Sequence, residues 1–145
     1  MTGYKAYQGN QVEGAGPLGL VILTYDALYN SLGRARIGAE SGDHAFEGEQ
    51  TGRALEALIE LSTSLNVEEG GEVAVSLANL YLYMNERLVA HMCSGSVEGI
   101  DEVMTLTLTL RDAWKGLEDR QRMPAATRRP ASRMRSQVAT ASYGY

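Results

Sequence analysis

Two histidines and one cysteine are the residues of this chain that could bind a metal or attack a substrate. His91 and Cys93 lie two positions apart, and His44 is distant from both. A structural zinc site needs four ligands, and di-metal bundles use Glu-x-x-His motifs, which neither histidine completes. Residues two apart on a helix point away from each other, so Cys93 and His91 do not form a nucleophile and base. The sequence predicts no metal site, no cofactor and no catalysis, and makes Cys93 a partly buried bystander.

A glycine pattern near the start of the chain could bind a dinucleotide. Gly14, Gly16 and Gly19 satisfy Gly-x-Gly-x-x-Gly, and Glu40 follows about twenty residues later. A dinucleotide site also needs a strand before the glycines and a βαβ unit around them, but a polar segment precedes them here. The pattern therefore indicates a loose entry into a helix, and no small-molecule substrate is expected.

Charge is distributed unevenly along the chain. Residues 1–119 hold all 18 acids and 7 bases, a net charge of -11, whereas residues 120–145 hold 6 arginines and no acid. An acidic body repels nucleic acid and favours a basic or neutral protein partner. The arginines from Arg128 to Arg135, without interleaved aromatics, would give only salt-dependent, sequence-blind contact with nucleic acid. A solubilising tail is the simplest interpretation, and a nucleic-acid-associated regulator acting through the tail is the alternative.

Composition is that of one globular domain. The chain has 145 residues, of which 44% are hydrophobic, enough to bury one core. Its longest aliphatic run, residues 20–23, is far shorter than the roughly 20 residues that cross a bilayer. The first residues do not show the pattern of a secretory signal, and a single cysteine fits a reducing compartment. We therefore expect a cytoplasmic protein without membrane insertion.

Apolar residues recur with the period of an α-helix in four segments. The predicted helices run from Pro17 to about Gly38, with Gly42 closing the first, from a cap at Asp43 to about Leu65, from just after Gly71 to about residue 94, and from Ser96 to about Arg122. Alternating Thr and Leu over residues 105–110 mimic a strand, but strong helix signals flank them. The predicted fold class is all-α: an antiparallel four-helix bundle within residues 1–119, with an extended arm at residues 1–16 and a disordered tail at residues 120–145.

The third helix carries more apolar surface than one core requires. Two adjacent stripes together cover roughly 200°, wider than the arc of about 100° or a little more that a docked helix needs. Tyr83 falls among polar residues and should face outward. For the second stripe, burial in the core and a groove for a partner remain alternatives. The first stripe comprises Val73, Leu77, Tyr81, Met84 and Leu88, and the second comprises Val75, Ala78, Leu82 and Val89.

Four ordered blocks resemble the FliS family of flagellar secretion chaperones. Residues 70–74 (Gly-Gly-Glu-Val-Ala) followed by residues 79–88 resemble that family's central helix. Residues 6–12 resemble its N-terminal segment, residues 23–27 its first helix and residues 111–115 its late helix. The resemblance covers roughly residues 4–118.

This resemblance implies a partner and assigns roles to residues. The implied partner is the C-terminal segment of flagellin, which such chaperones hold in the cytoplasm, keep from polymerising and help to deliver for export. A flagellar export gate is a second expected partner. Tyr4 and Tyr7 match the family's N-terminal contact segment, while Leu82, Tyr83 and Val89 are partner-binding candidates from the helical wheel. Structural roles are expected for Tyr25, Asp26, Tyr81, Met84, Arg87 and Trp114, with Arg87 as a candidate partner for Asp26.

Overall fold

Four α-helices make up the fold. The structure, a computed structural model, describes residues 16–122. The helices are α1 (Pro17–Ser41), α2 (His44–Ser64), α3 (Val67–Ser94) and α4 (Glu98–Arg122). The all-α four-helix prediction is confirmed, whereas most of the predicted arm and tail lies outside the described residues.

Helix boundaries follow local capping chemistry. Asp43 accepts a hydrogen bond from the Phe46 backbone N–H and starts α2, as predicted. Helix α1 continues to Ser41, three residues past the predicted boundary near Gly38, and the left-handed Gly42 closes it, as predicted. Helix α3 starts at Val67 rather than after Gly71, since Asn66 caps an extra first turn.

A kink at Gly71 divides α3. This glycine has φ 57° and ψ -137°, values that fall outside the helical region and that residues with a side chain rarely adopt. The four residues before it, Val67–Gly70, therefore form a separate first turn. The apolar faces described below all lie beyond the kink.

The threonines of α4 are accommodated within the helix. The hydroxyls of Thr105, Thr107 and Thr109 each donate to the carbonyl oxygen four residues earlier, at 2.7 to 3.0 Å. These bonds satisfy the hydroxyls without a neighbouring strand. The prediction of a helix over this alternating stretch is confirmed.

Neighbouring helices pack in a closed ring: α1 with α2, α2 with α3, α3 with α4, and α4 with α1. The ion pairs Arg36–Asp101 and Asp26–Arg111 show that α1 and α4 run antiparallel, since one residue number rises as the other falls. All four helices supply the core, whose most buried aliphatic side chains include Leu28, Leu32, Leu58, Leu61, Met84, Leu88, Ile100 and Val103.

A hydrogen-bonded aromatic group crosses the core. The hydroxyls of Tyr25 and Tyr81 are 2.5 Å apart, and Trp114 Nε1 donates to the Tyr25 oxygen at 3.1 Å. All three side chains are almost fully buried. Polar groups withdrawn from water need such partners, so this contact specifies how α1, α3 and α4 are aligned.

Asp26 pairs with Arg111 and not with Arg87. The Arg111 Nε donates to Asp26 Oδ1 at 3.0 Å, and this bond raises the pKa of the Arg111 guanidinium. Arg87 instead pairs with Glu102 on α4. The candidate partner from the sequence was wrong because Asp26 faces α4, whereas Arg87 lies on α3.

One end of the bundle closes by near contact of backbones. A Cβ on Gly38 would lie 2.9 Å from the backbone nitrogen of Glu47, and one on Gly99 would lie 3.0 Å from the carbonyl oxygen of Arg87. Such distances leave no room for a side chain. The α1–α2 and α3–α4 connections meet at this end, whereas the first turn of α1 and the last turn of α4 lie at the other.

Within residues 16–122, none of the helices combines the length and the apolar character needed to cross a membrane.

Candidate protein-binding site

Exposed apolar side chains are concentrated on α3. Among residues 16–122, nine large hydrophobic side chains are exposed, and six of them belong to this one helix. The remaining three, Ile37, Ile59 and Leu108, are divided among the other helices. Single exposed hydrophobics are ordinary, but a concentration on one element marks a surface suited to binding. The six on α3 are Val67, Val75, Leu82, Tyr83, Val89 and Met92.

Three of these residues form what we call the α3 stripe: Val75, Leu82 and Val89. Their exposed fractions are 45%, 56% and 44%. Spacings of seven residues keep them on one face of the helix, with a drift of only about 20° per heptad. The stripe lies beside the core-facing residues of α3, so this helix has one apolar face in the core and a second in solvent.

Tyr83 lies outside the α3 stripe, about 100° around the helix from Leu82. Its hydroxyl donates to Glu102 Oε2 at 2.5 Å, and Arg87 Nε donates to Glu102 Oε1 at 2.5 Å. The hydrogen bond from Tyr83, followed by that from Arg87, lowers the pKa of Glu102, and the same carboxylate raises the pKa of Tyr83. Tyr83 therefore faces outward while its ring is anchored to α4.

The predicted site residues thus fall into two sets within the described chain. Leu82 and Val89 share the α3 stripe, while Tyr83 belongs to the neighbouring face. Tyr4 and Tyr7 lie outside the described residues.

The two histidines, distant in the sequence, meet on one carboxylate. Glu47 Oε2 lies 2.6 Å from Nε2 of His91, and Glu47 Oε1 lies 3.3 Å from Nδ1 of His44. Nδ1 of His91 is also 2.5 Å from the Ser96 carbonyl oxygen. Sequence reasoning missed this cluster, because Glu47 and His91 meet only when the start of α2 packs beside the end of α3.

This cluster joins the ends of α2 and α3. The His91 side chain is fully buried, whereas His44 is largely in solvent. Cys93 is exposed, contrary to the expectation of a partly buried thiol, because it follows the exposed Val89 by four residues on the same face of α3. Across the described part of the chain, His, Cys, Asp and Glu form no group of three or more that could hold a metal ion.

A cavity of about 400 Å³ lies at the opposite end, between the start of α1 and the end of α4. It combines apolar and charged walls, and Gly16, the first described residue, is part of its lining. The cavity is separate from the α3 stripe and is lined by Gly16, Pro17, Leu18, Gly19, Glu118, Gln121 and Arg122.

Comparison with known proteins adds an independent finding. The family model described as "Flagellar protein FliS" matches residues 1–121. The chain is 34% identical to the flagellar secretion chaperone FliS of Salmonella typhimurium, over 79% of this chain and 88% of the relative. It is 34% identical to the flagellar secretion chaperone FliSB of Pseudomonas aeruginosa, over 81% and 96% respectively. The Bacillus subtilis flagellar secretion chaperone FliS is 30% identical over 77% and 83%.

Proposed function

This chain belongs to the FliS family of flagellar proteins, and on that premise we propose that it is a flagellar secretion chaperone that binds the C-terminal segment of flagellin. In this proposal it acts in the cytoplasm, keeps flagellin from polymerising too early and assists its export. It works by binding alone, without a chemical step.

The observation that carries the proposal is the α3 stripe. Val75, Leu82 and Val89 are exposed to solvent and do not contribute to the core of the bundle. An amphipathic client helix can dock apolar residues spaced three, four and seven apart against such a face. Ordering a client segment costs about 2 to 5 kcal/mol of the interaction free energy, so an extended contact surface is required. The part of α3 beyond Gly71 supplies one.

Each candidate residue then has a physical role. Leu82 and Val89 contact client side chains directly, because they are exposed on the same face. Tyr83 borders the contact surface from the adjacent face, where its hydrogen bond to Glu102 limits its rotation. Tyr4 and Tyr7, which match the family's N-terminal contact segment, are further partner-binding residues in this proposal. An export-gate component is a second partner in this proposal.

Titration calorimetry with a peptide of the flagellin C-terminal segment tests the proposal. We expect binding of one peptide per chain, with a gain of helical signal in circular dichroism. Leu82→Ala and Val89→Ala should each weaken binding about tenfold, which corresponds to about 1.4 kcal/mol. Because both side chains are exposed, the free energy of unfolding should change by no more than about 0.5 kcal/mol.

Ile37→Ala is the matched control. Ile37 is an exposed aliphatic residue on α1, a helix outside the neighbouring pairs that α3 forms. It should leave peptide binding unchanged. The proposed function fails if the peptide gives neither heat nor helix, or if Ile37→Ala weakens binding as much as Leu82→Ala.

A further inference from the structure

Val75 and Leu82 of the α3 stripe lie in a stretch of the chain without lysine or arginine, and Val89 lies two residues beyond Arg87, whose guanidinium pairs with Glu102. Residues 54–86 contain six glutamates and neither lysine nor arginine. Glu86 follows Leu82 by four residues and precedes Val89 by three, and Glu72 precedes Val75 by three. Residues at these spacings are neighbours on a helix surface. Since both glutamates are exposed, the stripe is bordered by carboxylates and favours an occupant that is apolar on one side and basic beside it.

The chain itself contains a segment with that chemistry. Residues 123–145 carry four arginines and no acid. Within them, Ala131, Met134, Val138 and Ala141 are spaced by three, four and three residues, the spacing of one helical face. Arg133 and Arg135 flank Met134, so basic groups would lie on both sides of that face.

The segment is also long enough to reach the stripe. Helix α4 ends at Arg122, at the end of the bundle where α3 begins. Leu82 lies about 22 Å along α3 from Val67, at 1.5 Å per residue. From Arg122, nine extended residues to Ala131 span up to about 30 Å, at 3.3 Å per residue, and the helical rise to Met134 adds about 4 Å. This exceeds the rise to Leu82 combined with the 8 to 10 Å between packed helix axes.

We propose that residues 128–141 dock on the α3 stripe of the same chain, with Met134 and Val138 against the apolar residues and Arg133 and Arg135 near Glu86. Linkage within one chain gives an effective concentration on the order of millimolar, so even a weak contact is populated. The contact depends on charges in water and is therefore weakened by salt.

The docked tail acts as an internal competitor for the client. This consequence rests on the proposed function, whereas the tail contact itself does not. Partial occupation of the stripe lowers the apparent client affinity in proportion to the fraction of open molecules. Occupation of half of the molecules would weaken client binding about twofold.

A spin label on the full chain tests the contact without any client. Cys93 is the single cysteine, is exposed and lies four residues after Val89, so a nitroxide there lies beside the C-terminal end of the stripe. We expect paramagnetic broadening of the backbone amide resonances of residues 128–141 at low salt. The broadening should disappear at about 1 M salt, where the Debye length is about 3 Å.

The matched control carries the label at the exposed position 30 on α1, in the variant Asn30→Cys with Cys93→Ser. It should leave the tail resonances sharp. Arg133→Ser combined with Arg135→Ser should abolish broadening from position 93. Three outcomes would overturn the tail contact. The tail resonances could show no broadening, they could broaden equally from both label positions, or the broadening could survive the double arginine substitution.

Client binding separates the two proposals. In calorimetry, the Arg133→Ser and Arg135→Ser variant should bind the flagellin peptide about twofold more tightly than the unsubstituted chain. If the peptide binds neither the unsubstituted chain nor the variant, but the tail resonances broaden, the proposed function fails and the tail contact stands. If the peptide binds both forms equally and the tail stays sharp, the function stands and the tail contact fails.

Discussion

Glu47 and His91 meet at 2.6 Å where the start of α2 packs against the end of α3. His91 is buried, and its other ring nitrogen contacts the Ser96 carbonyl oxygen. One side chain therefore joins α2, α3 and the connection to α4. His44 contacts the same carboxylate from solvent, which gives a natural comparison between a buried and an exposed partner of one group.

His91→Ala should destabilise the fold by about 2 kcal/mol or more, since it deprives Glu47 and Ser96 of a partner and leaves a cavity. His44→Ala, at an exposed position, should change stability by no more than about 0.5 kcal/mol. Urea denaturation of both variants provides the measurement. Equal losses in the free energy of unfolding would show that the burial of His91 does not contribute to stability.

The pairing of Asp26 can be measured by double-mutant cycles. Asp26→Asn combined with Arg111→Met should reveal a coupling free energy of about 0.2 to 1 kcal/mol, a small value because both side chains are partly exposed. The same cycle with Arg87→Met is the control. It should show no coupling, since Arg87 pairs with Glu102, and coupling there equal to that with Arg111 would contradict the observed contact.

Glu102 should titrate below the ordinary range of a glutamate, because Tyr83 and Arg87 donate hydrogen bonds to its ionised form. A carboxylate whose pKa is lower in the folded state stabilises the fold above its unfolded pKa. That contribution is lost as the pH falls through the folded pKa. Carbon-13 NMR titration of the carboxyl group is the measurement, and Tyr83→Phe should raise the Glu102 pKa. An unchanged value would mean that the hydrogen bond is absent in solution.

Two glycines of α4 should respond oppositely to alanine. At Gly99 the new Cβ would meet backbone of α3 at 3.0 Å, so Gly99→Ala should cost about 1 to 3 kcal/mol. At Gly116 nothing lies within 4 Å of the added group, so alanine should stabilise the helix by up to about 1 kcal/mol. Thermal denaturation compares the two variants. Similar effects at both positions would contradict the close packing of α3 and α4.

The contrast between predicted and observed contacts has a physical reason. The presence of four helices and the outward position of Tyr83 depend on the spacing of residues along a single helix. That spacing can be read directly from the sequence. Arg111, which is 85 residues from Asp26, is its partner only because α1 and α4 adopt one particular register. The contact of His91 with Glu47 likewise depends on how helix ends pack. Spacing within a helix therefore predicts faces, whereas partners across helices require the assembled bundle.

The break at Gly71 limits how far thermal fraying can spread along α3. Helical order propagates cooperatively only through consecutive residues with helical dihedral angles, and Gly71 interrupts that series. Melting of Val67–Gly70 can therefore stop before it reaches Val75. The regular spacing of Val75, Leu82 and Val89 is preserved even when the first turn of their helix is lost.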